Sequence, residues 1–139
     1  MVQKDYLLRL VEQFSKTLIN IIGLKKKGEY KKASELIAET YRGLLKFDPG
    51  FLEHIPDNEL LDTLVKDKAL NHDQLDIVAD LLIEEGDILF QQKQRNKSRT
   101  KYSQALKVLD HLNEEQKSTF SFDRMNKIES IQKKLTIDN

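Results

Sequence analysis

Apolar side chains recur at intervals of three and four along almost the whole chain, and that period admits few folds. Leu7, Leu10, Val11, Phe14, Leu18, Ile21 and Ile22 paint one face of a helix over about 4–24. The pattern restarts at Tyr30, Ala33, Leu36, Ile37, Tyr41, Leu44 and Leu45, predicting a second helix over about 29–47. Leu60, Leu61, Leu64 and Val65 suffice for a short third segment. Leu75, Val78, Leu81, Leu82, Ile88 and Leu89 predict a helix over about 72–93, and Tyr102, Ala105, Leu106, Leu109 and Leu112 give the inward face of the next. Phe122, Met125, Ile128, Ile131 and Leu135 complete the series over about 121–136. No alternating stretch is long enough for a strand, so the chain reads as all-α, with about six or seven helices.

Turn and cap residues divide this pattern into hairpins. Gly23-Leu24-Lys25-Lys26-Lys27-Gly28 ends the first helix with cations at the negative end of its dipole. So short a connection implies an antiparallel pair. Asp48-Pro49-Gly50 and Pro56-Asp57 are breaks, and Asp48 before Pro49 reads as the start of a short helix. Asn71 with Gln74 reads as a capping pair, Asn96 as the cap of the following helix, and Ser121 as the start of the last. The reading is a single domain, 1–139, with hairpins over about 4–47, 48–70 and 72–112 and a final helix over about 121–136. Leu8 and Ile19 widen the apolar face of the first helix, which predicts two neighbours for it.

Composition removes several function classes. The 139 residues carry 23 basic and 23 acidic side chains and no net charge, so no global field attracts nucleic acid or a membrane. Cysteine is absent, which excludes disulfides, thiolate metal sites and cysteine nucleophiles. No signal-peptide core or membrane span can be drawn, and a cytoplasmic location is the default expectation. No cofactor or metal is implied. His54, His72 and His111 each adjoin an acid, but neighbours on a helix do not face one another, so no base with an orienting partner follows. No metalloprotease motif, phosphate loop or nucleophile elbow is present, and the expectation is a protein that is not an enzyme.

Gly86, Ser98, Tyr102 and Ala105 in one unit, and Gly28, Tyr30 and Ala33 in another, resemble the tetratricopeptide repeat. The two registers lie about 65 residues apart, slightly less than two repeats of about 34. The resemblance implies a short right-handed array of stacked hairpins, with a divergent pair between the two echoes. It also implies a groove lined by the first helix of each hairpin, which accepts a peptide. Carried over by register, the groove positions are Asp80, Ile83, Asp87, Phe90 and Gln91, and, in the first unit, Ser15, Leu18, Ile22, Lys25 and Lys26. The family's carboxylate clamp is not reproduced, because Ile22 and Asp87 stand where asparagine is expected. Asp5 to Phe14, together with Gly28 to Ala33, also resembles a family of small helical bacterial proteins, a likeness that carries no activity.

Two charged features remain. Asp76, Asp80, Glu84 and Asp87 form an acidic stripe, where like charges at these spacings each cost on the order of 0.2–0.5 kcal/mol. Lys93, Arg95, Lys97, Arg99, Lys101 and Lys107 form a basic segment over 93–107. A solvated surface is the plain reading of both, and a core position under the last helix is the plain reading of Ile83 and Phe90. The favoured function is a protein-interaction or scaffold module that binds a peptide or partner subunit through Asp80, Ile83, Asp87, Phe90, Gln91, Lys25 and Lys26. The alternatives are a structural homodimer closed through the amino-terminal helix and a nucleic-acid binder using 93–107.

Overall fold

The computed structural model describes residues 2–116 and 122–137. All regular structure among them is helical, with six α-helices: α1 Val2–Lys26, α2 Tyr30–Thr40, α3 Leu60–Asp62, α4 His72–Gln91, α5 Arg95–Glu115 and α6 Phe122–Thr136. The expected start at Ser121 lies outside the described residues. Contacts divide the chain into two compact units, Met1–Pro56 and Asp57–Asn139. The segment 48–70, expected as a hairpin, divides between them: the 3-10 turn Phe51–His54 lies in the first, and the helical run from Asp57 to Asp67 that includes α3 lies in the second.

In the first unit, α1 and α2 pair as a hairpin. The turn between them is a Schellman motif: the Glu29 N–H donates to the Leu24 carbonyl and the Gly28 N–H to that of Lys25. Gly28 has φ 76°, and nothing beyond its immediate chain neighbours lies within 4 Å of the place a Cβ would take. Its role is therefore conformational, not one of close helix approach. Ala33, Ile37 and Ile21 are buried along this hairpin. The last turn of α2 widens into a π-helical turn, Tyr41–Leu45, and stops at left-handed Lys46. Phe47 then folds back on Tyr41, with ring centroids 5.4 Å apart. The Phe51–His54 3-10 turn follows, burying Leu52.

The second unit is built on the α4–α5 hairpin. A short 3-10 turn, Asp57–Glu59, leads into α3, which continues as a π-helical turn, Thr63–Asp67, with Leu60 and Leu64 fully buried. The expected capping box forms: the Gln74 N–H donates to Asn71 Oδ1 at 2.9 Å, and the Asn71 N–H to Gln74 Oε1 at 3.0 Å. In the last third of α4, Gly86 lies under the Tyr102 ring so closely that an added Cβ would come within 2.5 Å of it. The Ser98 hydroxyl donates to the Gly86 carbonyl at 2.8 Å, and Ala105 is fully buried. All four residues singled out in the sequence thus line one hairpin.

Other expectations need correction. Asn96 does not cap α5, because a second Schellman turn restarts the helix two residues earlier, with Gln94 in the cap position. Here the Gln94 N–H donates to the Leu89 carbonyl and the Lys93 N–H to that of Phe90, with Lys93 left-handed at φ 62°. Lys93 thus stands where Gly28 stands in the first hairpin. Likewise Ser98 matches Ala33, Tyr102 matches Ile37, and Gly86 matches Ile21. At the positions of the small and the large residue of the second hairpin, the first carries two buried isoleucines. In α6, Ile131 is buried, but Phe122 is 75% exposed and Met125 also faces outward.

Gly86→Ala should lower stability to urea by about 1–3 kcal/mol through overpacking against Tyr102. In a Tyr102→Ala background the same change should become neutral or stabilising, since alanine is favoured over glycine in a helix by about 1 kcal/mol. Lys93→Gly should raise stability by about 1 kcal/mol, because a left-handed non-glycine residue is strained by roughly 1–2 kcal/mol.

Candidate functional site

Asp76, Asp80, Ile83, Asp87 and Phe90 fall within one stripe of α4, because steps of three and four return to nearly the same side of a helix. The three acids of that stripe face cations of α6. Arg124 Nη2 lies 3.5 Å from Asp76, Lys127 Nζ 2.8 Å from Asp80, and Lys134 Nζ 2.6 Å from Asp87. Both series ascend together, so α6 runs parallel to α4. It runs antiparallel to α5: Arg124 reaches Asn113 and Gln116 near the end of α5, whereas Arg99 near its start donates to the Leu135 carbonyl at 2.6 Å. The third helix therefore lies along both members of the hairpin.

The contact at Asp87 is the most elaborate. Its Oδ1 accepts from the Tyr102 hydroxyl at 2.5 Å as well as from Lys134, and the Lys134 ammonium also stands 5.4 Å from the centre of the Tyr102 ring. Burial, reinforced by the neighbouring Asp87 carboxylate, pushes the Tyr102 phenol well above its ordinary value of 10.0. Burial also raises the Asp76 and Asp80 carboxyls above 3.8, against the opposing pull of Arg124 and Lys127. At Lys127 burial acts to lower the pKa, but the attraction of Asp80 and Asp123 outweighs it and the ammonium is held above 10.5. Glu84, the fourth member of the acidic stripe, is buried instead of lying in this row.

The remaining candidates are dispersed. Ile83 and Phe90 are half-buried, and the Arg95 guanidinium stands 5.4 Å from the centre of the Phe90 ring. Gln91 is exposed at the end of α4. Lys25 and Lys26 close α1 in the other unit. Part of the basic segment turns inward: Lys101 is buried and pairs with Glu85 at 3.4 Å, and Arg99 is engaged with α6. His111 pairs with Glu115 at 3.7 Å, beside an open cleft that Asp57, Lys107 and Asp110 also line. His54 and His72 are exposed. Among the described residues, no group of three or more acids and histidines is placed to hold a metal ion. Among those residues, too, no helix is long and apolar enough to cross a membrane.

No protein-family model, curated protein or solved structure matches the chain.

Sequence reasoning found the acids but missed Arg124, Lys127 and Lys134. Their signal was a spacing of three and seven on the face that also carries Ile131, against four and seven for Asp76, Asp80 and Asp87.

The raised carboxyl of Asp80 fixes a sign. Between 3.8 and its folded value the native state holds a proton that the unfolded chain has lost, so its contribution to stability falls as pH rises through that window. The raised ammonium of Lys127 contributes stability that is complete below 10.5 and lost as pH rises through its folded value. Carboxyl NMR should show Asp80 titrating above 3.8, and Lys127→Met should move it further upward. A midpoint at or below 3.8 in the wild-type chain would mean that the pull of Lys127 outweighs the effect of burial.

Proposed function

We propose that the chain is a non-catalytic protein-interaction module of tetratricopeptide-like hairpins, whose α4 stripe receives a cationic amphipathic helix from a peptide or partner subunit. One observation carries this reading: the stripe already accommodates such a helix in α6, through Asp76, Asp80 and Asp87 in parallel register. A face that holds Arg124, Lys127 and Lys134 around buried Ile131 suits an incoming segment with cations at those steps and one apolar anchor. Specificity follows from the spacing, since a helix with acids at the same positions would set like charges together in a partly desolvated contact. The Gly86–Tyr102 approach supports the comparison with the repeat class, in which small residues let paired helices close on an aromatic. Lys25 and Lys26, at the end of α1 in the first unit, are proposed as partner-contacting positions in their own right.

Charge reversal at Asp87 is a poor test, because it would also strip Tyr102 and Lys134 of their shared acceptor. The α6 side offers a cleaner one. In the full chain, Lys127→Glu with Lys134→Glu should loosen α6 while the α4–α5 hairpin keeps its helical circular dichroism. A fluorescent peptide of residues 122–137 should then bind this variant about ten-fold or more tightly than the wild-type chain, whose tethered α6 competes. Adding Asp80→Lys should abolish the gain. Equal, weak binding to all three proteins would remove the α4 stripe from the reading.

A further inference from the structure

The helix that fits the α4 stripe can be sought within the sequence itself. On α6 the cations stand at positions i, i+3 and i+10, as Arg124, Lys127 and Lys134, with buried Ile131 at i+7. Of the 23 basic residues in the chain, Arg124 and Lys127 are the only two that stand three apart, so no other segment repeats this pattern. Apart from the α6 already in place, the source of such a helix is α6 of a second copy. That helix is also the one whose departure uncovers least. Only Arg124 and Ile131 are buried along α6, against nine residues along α4 and eight along α5. Gly86, Ser98 and Tyr102 join α4 to α5 directly, without passing through α6.

Detachment of α6 bares two surfaces at once, the row Asp76, Asp80 and Asp87 on α4 and the row Arg124, Lys127 and Lys134 on α6. They match in charge and in spacing, so two opened copies satisfy both rows by trading helices. Each α4 then regains its three ion pairs, and each Arg99 a Leu135 carbonyl, from the other copy. The trade loses no contact and costs the entropy of joining two chains. We infer that α6 is exchanged between two copies of this chain, each α6 lying in parallel register on α4 of the other. The inference rests on the reading of the α4 stripe as a receptor for a cationic helix, and it names the partner. The exchange is reciprocal and closed, so it stops at two copies. Because the tether holds α6 at its own face at an effective concentration on the order of millimolar, the closed single chain prevails in dilute solution and the exchanged pair gains ground toward that concentration.

Two opposed variants separate donor from receptor. Lys127→Glu with Lys134→Glu keeps the α4 acids and spoils α6 as their occupant, whereas Asp80→Lys keeps α6 and spoils α4. Each alone should stay monomeric in light scattering and keep its helical circular dichroism. Mixed in equal amounts they should form a one-to-one dimer at a concentration about ten-fold or more below that needed by the wild-type chain, because neither copy's own α6 competes for the intact stripe. Excess peptide of residues 122–137 should return that dimer to monomers. The wild-type chain should itself pass from monomer to dimer toward a concentration on the order of millimolar, and Lys127→Glu with Lys134→Glu should not. A mixture that stays monomeric overturns the exchange, and so does a wild-type chain that is still monomeric at that concentration. A variant that dimerises alone, or a mixed dimer that the peptide leaves intact, places the contact elsewhere and overturns it as well. Failure of the α4 reading is distinct: if the peptide binds the Lys127→Glu, Lys134→Glu variant while the mixture stays monomeric, the stripe is a receptor and a second copy is not its partner.

Discussion

The second unit depends on the absence of one side chain. Without a Cβ at Gly86, the Tyr102 ring rests on the backbone of α4, and the same approach brings the Ser98 hydroxyl to the Gly86 carbonyl. Tyr102 is thereby aimed at Asp87, the next residue along α4, and Asp87 is in turn the acceptor for Lys134 of α6. A steric fact between two helices thus fixes the polar contact that orients the third. Close-packed interiors transmit displacements of this kind because few voids are present to absorb them.

Much of the helical architecture could be read from the sequence, and the reason is local. Apolar period, the Asn71–Gln74 pair and the Gly28 turn each act within a few residues, where chain geometry leaves little choice. Lys93 gave no such signal, since a lysine carries no preference for the left-handed backbone that the second turn imposes on it. Phe122 shows the opposite case, in which apolar character does not carry an inward direction. On α6, Arg124, Lys127, Ile131 and Lys134 occupy one side, and Phe122 falls on the far side of the same helical wheel. Ion pairs with α4, not hydrophobicity alone, set the rotation of that helix.

The candidate site was legible only in part for a related reason. Asp80 and Asp87 were picked out by register, and they do stand in one row. What neutralises them arrives from about 47 residues further along the chain, a separation over which single-sequence patterns say nothing of pairing. Four acids in one stripe of a helix are costly in isolation. With Glu84 turned inward and the other three matched by cations of α6, the cost is offset by tertiary structure. The close approach of Gly86 and Tyr102 was hidden for the same reason: each residue makes sense only beside its partner.

The covalent attachment of α6 has a consequence for any outside helix. A segment joined to its own docking face is present there at an effective concentration on the order of millimolar, whatever the amount of protein in solution. A competitor of similar chemistry but modest affinity therefore meets a face that is nearly always occupied. Only a segment that binds much more tightly, or that is itself held nearby, can displace it. On the proposed function, the tether converts a simple charge match into a threshold, and discrimination at the α4 stripe would be set by how far a rival exceeds α6, rather than by whether it fits.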